Sequence, residues 1–269
     1  PGWQSGKTSS RAHHKAIAGV EYMKLCDAHC HLANLEQLMP LRPLLKEAAS
    51  CGITHYLSAA LSKADLAEYP RIASIEGIKL LFSAGIHPFF DACDLELDDI
   101  RKLCEDGAIW AIGEIGLDKG NPDKRQMRQT FESQLELAAE YRLPVVLHIV
   151  GHQQEAYNIL RRYPLRYLLH GYAGSVEAFT NLCKTDCCYT ISERILRQDK
   201  RELLDAMLAG GRYLFETDIT RYYVREGERN PLLRLINVIR HCAELSGIDL
   251  RELIRVQAFN YKLLTGCGL

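Results

Sequence analysis

From residue 24 onward, short apolar runs alternate with longer stretches in which apolar residues recur every three or four positions. The first pattern is that of buried strands, the second that of amphipathic helices. Strands are predicted at 24–32, 54–60, 78–86, 108–117, 145–149, 165–170, 187–191 and 213–217. Helices are predicted at 40–51, 63–76, 95–105, 123–142, 153–162, 175–185 and 198–209, then at 231–245 and 249–264. Gly52 closes the first helix, Pro144 introduces the fifth strand, and Pro231 opens the next-to-last helix. Eight strands alternating with helices through short links predict an α/β fold, a (β/α)8 TIM barrel. An open doubly wound sheet is the competing arrangement. Eight regular units without a Gly-rich phosphate loop weigh against it.

Composition narrows the picture. A chain of 269 residues with 47% apolar content suits one large barrel. Residues 1–22 are dominated by Ser, Gly, Thr, His and Lys and read as a tail outside the fold, leaving 23–269 as a single domain. His13 and His14 are then incidental. The net charge of −1 gives no global attraction to nucleic acid or membrane, so any polyanion site must be local. No apolar run reaches the ~18 residues of a membrane span. The ten cysteines are scattered, with no C-x-x-C and no secretory signal, which predicts reduced thiols in a cytoplasmic protein.

The chemistry gathers at strand ends. His29 and His31 are separated by one residue, so in a strand they project from one side, about 6–7 Å apart. Two such imidazoles can converge on a divalent metal if other ligands arrive from distant sequence. His87, Glu114, His148, His170 and Asp218 each fall where an apolar run gives way to a loop. In a barrel those carboxyl ends form the active mouth. His55 lies at the start of its strand and His241 within a helix, so both read as structural or solvated, while His152 is ambiguous. Four of these histidines with the two carboxylates already exceed one tetrahedral zinc. Two metals about 3.5–4 Å apart, sharing a bridging carboxylate, account for them, and can activate a bridging water and stabilise attacking and leaving oxygens. The ions are expected among Zn, Mn, Co, Fe and Mg, with the mixed donor set favouring the first four.

Residues 27–32 (D-x-H-x-H-L), 85–88 (G-x-H-P) and 113–118 (G-E-I-G-L-D) stand in this order. So do 131–138 (F-x-x-Q-L-x-L-A), 144–148, the run His170-Gly171-Tyr172-Ala173-Gly174, Glu216-Thr217-Asp218, and Asn260. By these motifs the whole of 24–265 resembles the TatD family of metal-dependent deoxyribonucleases, within the amidohydrolase-like barrels. The resemblance implies one metal held by His29, His31 and Asp218, a second by His148 and His170, and Glu114 bridging. It implies that Asp218 orients or deprotonates the attacking water and that His87 contacts the scissile phosphate or leaving group. The departures concern substrate handling. Ala33 replaces the usual acidic residue, Val150 the Arg of H-x-R, and Ile219-Thr220 follow E-T-D without its proline. An Arg can hold a phosphate bidentately and Val cannot.

Loops at the predicted mouth carry Lys119, Lys124, Arg125, Arg194, Arg197, Arg221 and Arg225, interleaved with Phe89, Phe90, Tyr172, Tyr222 and Tyr223. Basic groups with exposed rings suit single-stranded nucleic acid. Substrate contacts are expected from Lys119, His152, Arg194, Arg221, Tyr222 and Arg225. The leading expectation is hydrolysis of phosphodiesters in single-stranded DNA, as 3′–5′ trimming, with Asp218, Glu114 and His87 catalytic. The same barrel suits a carbonyl hydrolase acting on esters, lactones, amides or aminoacyl-tRNA. A third possibility is a non-catalytic subunit of a larger assembly.

Overall fold

A computed structural model of the chain describes residues 23–269. The tail predicted at 1–22 lies outside the described residues. Eight strands run in parallel in the order β1 to β8: Leu25–Cys30, Ile53–Ala60, Lys79–Ala84, Ala111–Asp118, Val145–Val150, Tyr167–Leu169, Cys187–Ile191 and Tyr213–Phe215. Sequential parallel pairing with a helix in each connection is the TIM-barrel topology. The ring closes just beyond β8, where the Asp218 N–H donates to the His29 carbonyl and the His31 N–H to the Ile219 carbonyl, both at 3.0 Å. Closure and site assembly therefore share residues.

The helices are α1 Leu32–Glu36, α2 Leu41–Ser50, α3 Lys63–Ala73, α4 Leu97–Glu105, α5 Lys124–Tyr141, α6 Gln153–Leu160, α7 Val176–Leu182, α8 Arg201–Gly210, α9 Arg234–Ser246 and α10 Leu250–Thr265. The sequence pattern missed α1, which is too short to show a period. β6 and β8 are shorter than predicted, while β7 has the predicted bounds. His170, Glu216 and Asp218 lie past their ladders, at the mouth, and His87 lies in the loop after β3. Side-chain caps mark several helix starts: Ser62 accepts the Asp65 N–H, Asp123 the Gln126 N–H, and Ser175 the Ala178 N–H.

Two apolar clusters divide the core. The larger lies between the sheet and the helices. The smaller holds Cys26, Ala28, Leu57, Ala111, Val146, Leu168, Cys188 and Leu214, joined by Tyr261 and Leu264 of α10. A cluster drawing residues from strands all around the ring can only fill the barrel's interior. The C-terminal end of α10 thus helps fill the barrel below the site. No helix among the described residues is long and apolar enough to cross a membrane.

Candidate metal centre

Glu114 sits at the centre of the mouth, buried, with its two carboxylate oxygens facing different partners. Oε2 lies 3.4 Å from His29 Nε2 and 3.3 Å from His31 Nε2. Oε1 lies 2.6 Å from His170 Nε2, 3.5 Å from His148 Nδ1 and 3.7 Å from His87 Nε2. Asp218 closes the first group from the other side, with Oδ1 3.5 Å from His31 Nε2 and 3.9 Å from His29 Nε2. Three sets of potential ligand atoms lie within 4.8 Å of one another: His29, His31 and Glu114; His29, His170 and Asp218; and His87, Glu114 and His148. All six residues expected as ligands are brought together, and His87 joins them.

Local structure aims these groups. The β1–β2 register shifts between Asp27 and Cys30, and the β4–β5 register between Ile112 and Ile115, so irregularities flank His29 and Glu114. Such bulges re-aim side chains. Asp218 has φ 53°, in the left-handed region that Asp tolerates better than most residues. Asp27 holds it in register, accepting the Thr217 N–H at 3.0 Å and the Thr217 hydroxyl at 2.5 Å.

The outer hydrogen bonds decide which ring nitrogens are free. His31 Nδ1 lies 3.0 Å from the Ala59 carbonyl, which can only accept, so Nδ1 carries the proton and Nε2 is left for a metal. His148 Nε2 is 2.8 Å from Asp118 Oδ2, leaving Nδ1 toward Glu114. His87 is the reverse case: its Nδ1 accepts the Phe89 N–H at 2.9 Å. In the neutral ring the proton must then be on Nε2, which makes His87 a donor aimed at the centre rather than a ligand.

Electrostatics set the rings apart in a second way. Burial, helped by His170, lowers His29 to about 4. Burial likewise lowers His87 to about 3, so both rings are neutral. Burial also pulls on His31, but its bond to Asp218 and the Glu114 charge outweigh that and raise it to about 9. His148 reaches about 9 as well, because Asp118 and Glu114 overcome burial. Burial opposes ionisation of Glu114, yet His170 and the other imidazoles hold it well below the carboxylate range. Asp218 is likewise held low against burial by His31 and the surrounding cations. His29 Nε2 is buried without a hydrogen-bond partner while facing two carboxylates. A lone imidazole nitrogen in that setting fits a divalent cation, and the His/carboxylate donor set fits the same class of ion.

Residues 26–266 match the family model described as TatD related DNase. The chain belongs to the TatD family. It is 25% identical over 257 residues to the uncharacterised metal-dependent hydrolase YcfH of Escherichia coli, covering 90% of this chain and 96% of that one. It is 26% identical over 239 residues to a protein of Erwinia tasmaniensis named 3′-5′ ssDNA/RNA exonuclease TatD, covering 82% and 92%. Among solved structures, the TatD homologue YjjV of E. coli aligns with TM-score 0.77 and 23% identity over 90% of this chain and 98% of that one. This TatD member is accordingly a metal-dependent hydrolase.

The cavity above the centre has a volume of about 370 Å3. His31, His87, Glu114, Asp118, His148, His170 and Asp218 form its floor, and Leu61, Phe89, Phe90, Arg194, Thr220, Tyr222 and Tyr223 its walls. Of the expected substrate residues, Arg194 and Tyr222 therefore line it. Lys119, His152, Arg221 and Arg225 do not. Lys119 pairs by its backbone with Val150, His152 begins α6 with Nδ1 3.4 Å from Glu155, and Arg225 meets Glu193 at 2.5 Å. Arg221 bonds Gln37 and the Tyr222 hydroxyl. Sequence reasoning assigned no role to Asp27, Asp118 or Glu216. Their signal was available: each is an acidic residue in or beside an apolar strand, where burial demands a partner. His55 is buried below the site, 2.9 Å from Thr54 Oγ1, and His241 is exposed on α9.

Proposed function

We propose that this TatD member is a two-metal phosphodiesterase that trims single-stranded DNA from its 3′ end. The observation that carries the reading is the division of Glu114, one oxygen facing His29 and His31 and the other facing His148 and His170. That arrangement suits a carboxylate bridging two ions, with Asp218 completing the first site. When bound, such a pair lowers the pKa of water and clamps the attacking and leaving oxygens of an in-line displacement. Asp218, ionised and held by Arg194 Nη2 at 2.7 Å, orients the attacking water and takes its proton. His87, neutral with its proton on Nε2, donates a hydrogen bond from it to the phosphoryl or leaving oxygen. Phe89, Tyr222 and Tyr223 are half-exposed rings at the cavity, suited to stacking on bases beside the reacting linkage. The name of the Erwinia relative supports the same substrate class and polarity.

The test is digestion of a short 5′-labelled single strand in Mn or Mg. A ladder of fragments shortened progressively from the 3′ end is expected. An intact strand alongside rapid hydrolysis of an uncharged carboxyl ester would transfer the site to carbonyl chemistry.

A further inference from the structure

We propose that Arg194 is the specificity-determining residue of this site, selecting anionic esters over neutral ones through the non-bridging oxygens of the substrate. Among the described residues Arg194 is the sole Lys or Arg lining the cavity. It stands in the short 3-10 turn Glu193–Ile195 after β7. Its guanidinium is oriented from two directions. Nη2 donates to Asp218 Oδ2 at 2.7 Å, and the group's central carbon lies 5.7 Å from the centre of the Tyr223 ring.

The fork is pinned, yet its side chain remains 46% exposed toward the cavity. A planar guanidinium has five N–H donors in fixed directions, and one bond to Asp218 leaves others for an acceptor. The floor's carboxylates point the other way. Glu114, Asp118 and Asp218 present carboxylate oxygens, which repel an anion wherever metal does not compensate them. A phosphodiester entering here meets one guanidinium, next to the residue assigned to the attacking water. At the end of β5, two strands from β7, Val150 is apolar, and neither Lys119 nor His152 lines the cavity. Anion recognition is therefore placed on the β7 side of the mouth.

This inference rests on the phosphodiesterase reading, and binding separates the two. The Mn-loaded protein is titrated with methyl phenylphosphonate, a mono-anion whose methoxide is a poor leaving group, and with its neutral counterpart dimethyl phenylphosphonate. The parent should bind the anion more tightly. Arg194→Ala should reduce the ratio of the two affinities at least about tenfold, the order expected for a hydrogen bond to a charged group. Arg194→Lys, which keeps the charge but loses the fork, should recover part of the ratio. Metal content should match the parent in both variants. If Arg194 only braces Asp218, both affinities shift together and the ratio stays, which overturns the proposal. A parent without anion preference overturns it too. A parent that prefers the anion, loses the preference in Arg194→Ala, and yet leaves labelled strands intact upholds Arg194 while sinking the nuclease reading.

Discussion

Two layers of side chains fill this barrel, and they obey opposite chemistry. The lower layer is apolar: Cys26, Ala28, Leu57, Ala111, Val146, Leu168, Cys188 and Leu214, under which Tyr261 and Leu264 pack. The upper layer is ionisable: His29, His31, Glu114, His148, His170, Glu216 and Asp218, nearly all buried. Strand alternation links the layers on one side of the ring. Two residues beyond Val146 is His148, two beyond Leu168 is His170, and Leu214 leads by twos to Glu216 and Asp218. On the other side it fails. Counting by twos from Cys26 and Ala28 passes over His29 and His31, and counting from Ala111 passes over Glu114. Both strands carry a register shift at that point. The bulges change parity, bringing the two histidines and the central carboxylate inward. A regular barrel would have left three of these seven residues outside.

The contrast predicts separable phenotypes. The largest effect should come from Glu114→Ala, since its two oxygens face the two imidazole groups separately. Turnover should vanish and metal content fall, while the circular dichroism spectrum keeps the parent shape. Near-parent rates in saturating Mn would falsify the two-metal division.

Leu214→Ala strikes the lower layer instead. A fully buried leucine cut to alanine should cost about 2–5 kcal/mol in denaturant unfolding. Metal content per folded protein should be unchanged. If metal is lost from a variant that is still folded, the two layers are not independent and the comparison breaks.

Asp118→Asn sharpens the upper layer. Its carboxylate fixes the His148 tautomer at 2.8 Å, and losing such an outer partner should weaken metal binding about 10–100-fold. Competition with a chromophoric chelator reads this directly, and parent affinity would show that Asp118 is not what orients His148. The smallest effect is expected at the rim. Arg225 is engaged by Glu193 outside the cavity, so Arg225→Ala should lower the salt slope of oligonucleotide binding by less than the ~0.7 per phosphate contact of a single strand. A full drop of that size would draw the strand's path over Arg225.

The fold and the residue types of the candidate site were legible in the sequence because both follow local rules. Apolar periodicity announced eight strands and the helices between them, and the histidines and acids of the candidate site stood at or near strand ends, where a barrel opens. The outer partners were less visible. Asp118 and Asp27 lie inside quoted motifs, but a motif does not say whether a buried acid touches a metal or holds the residue that does. The rim was least legible, because exposed cations look alike in sequence. Lys119, Arg194, Arg221 and Arg225 all fall in mouth loops, and only packing separates Arg194, held by Asp218 and Tyr223 inside the cavity, from Arg225, neutralised by Glu193 beyond it.

By itself, then, the sequence determined the barrel and the inventory of imidazoles and carboxylates at its mouth, since spacing along the chain encodes strands, helices and their ends. The tertiary structure alone decided which way those groups point and which nitrogens are free. Bulges in β1 and β4 set the facing of His29, His31 and Glu114. The Ala59 carbonyl, the Asp118 carboxylate and the Phe89 N–H set the proton positions on His31, His148 and His87. Those partners come from other strands or loops, and a ring nitrogen's role depends on what lies about 3 Å away in space rather than on its neighbours in the chain.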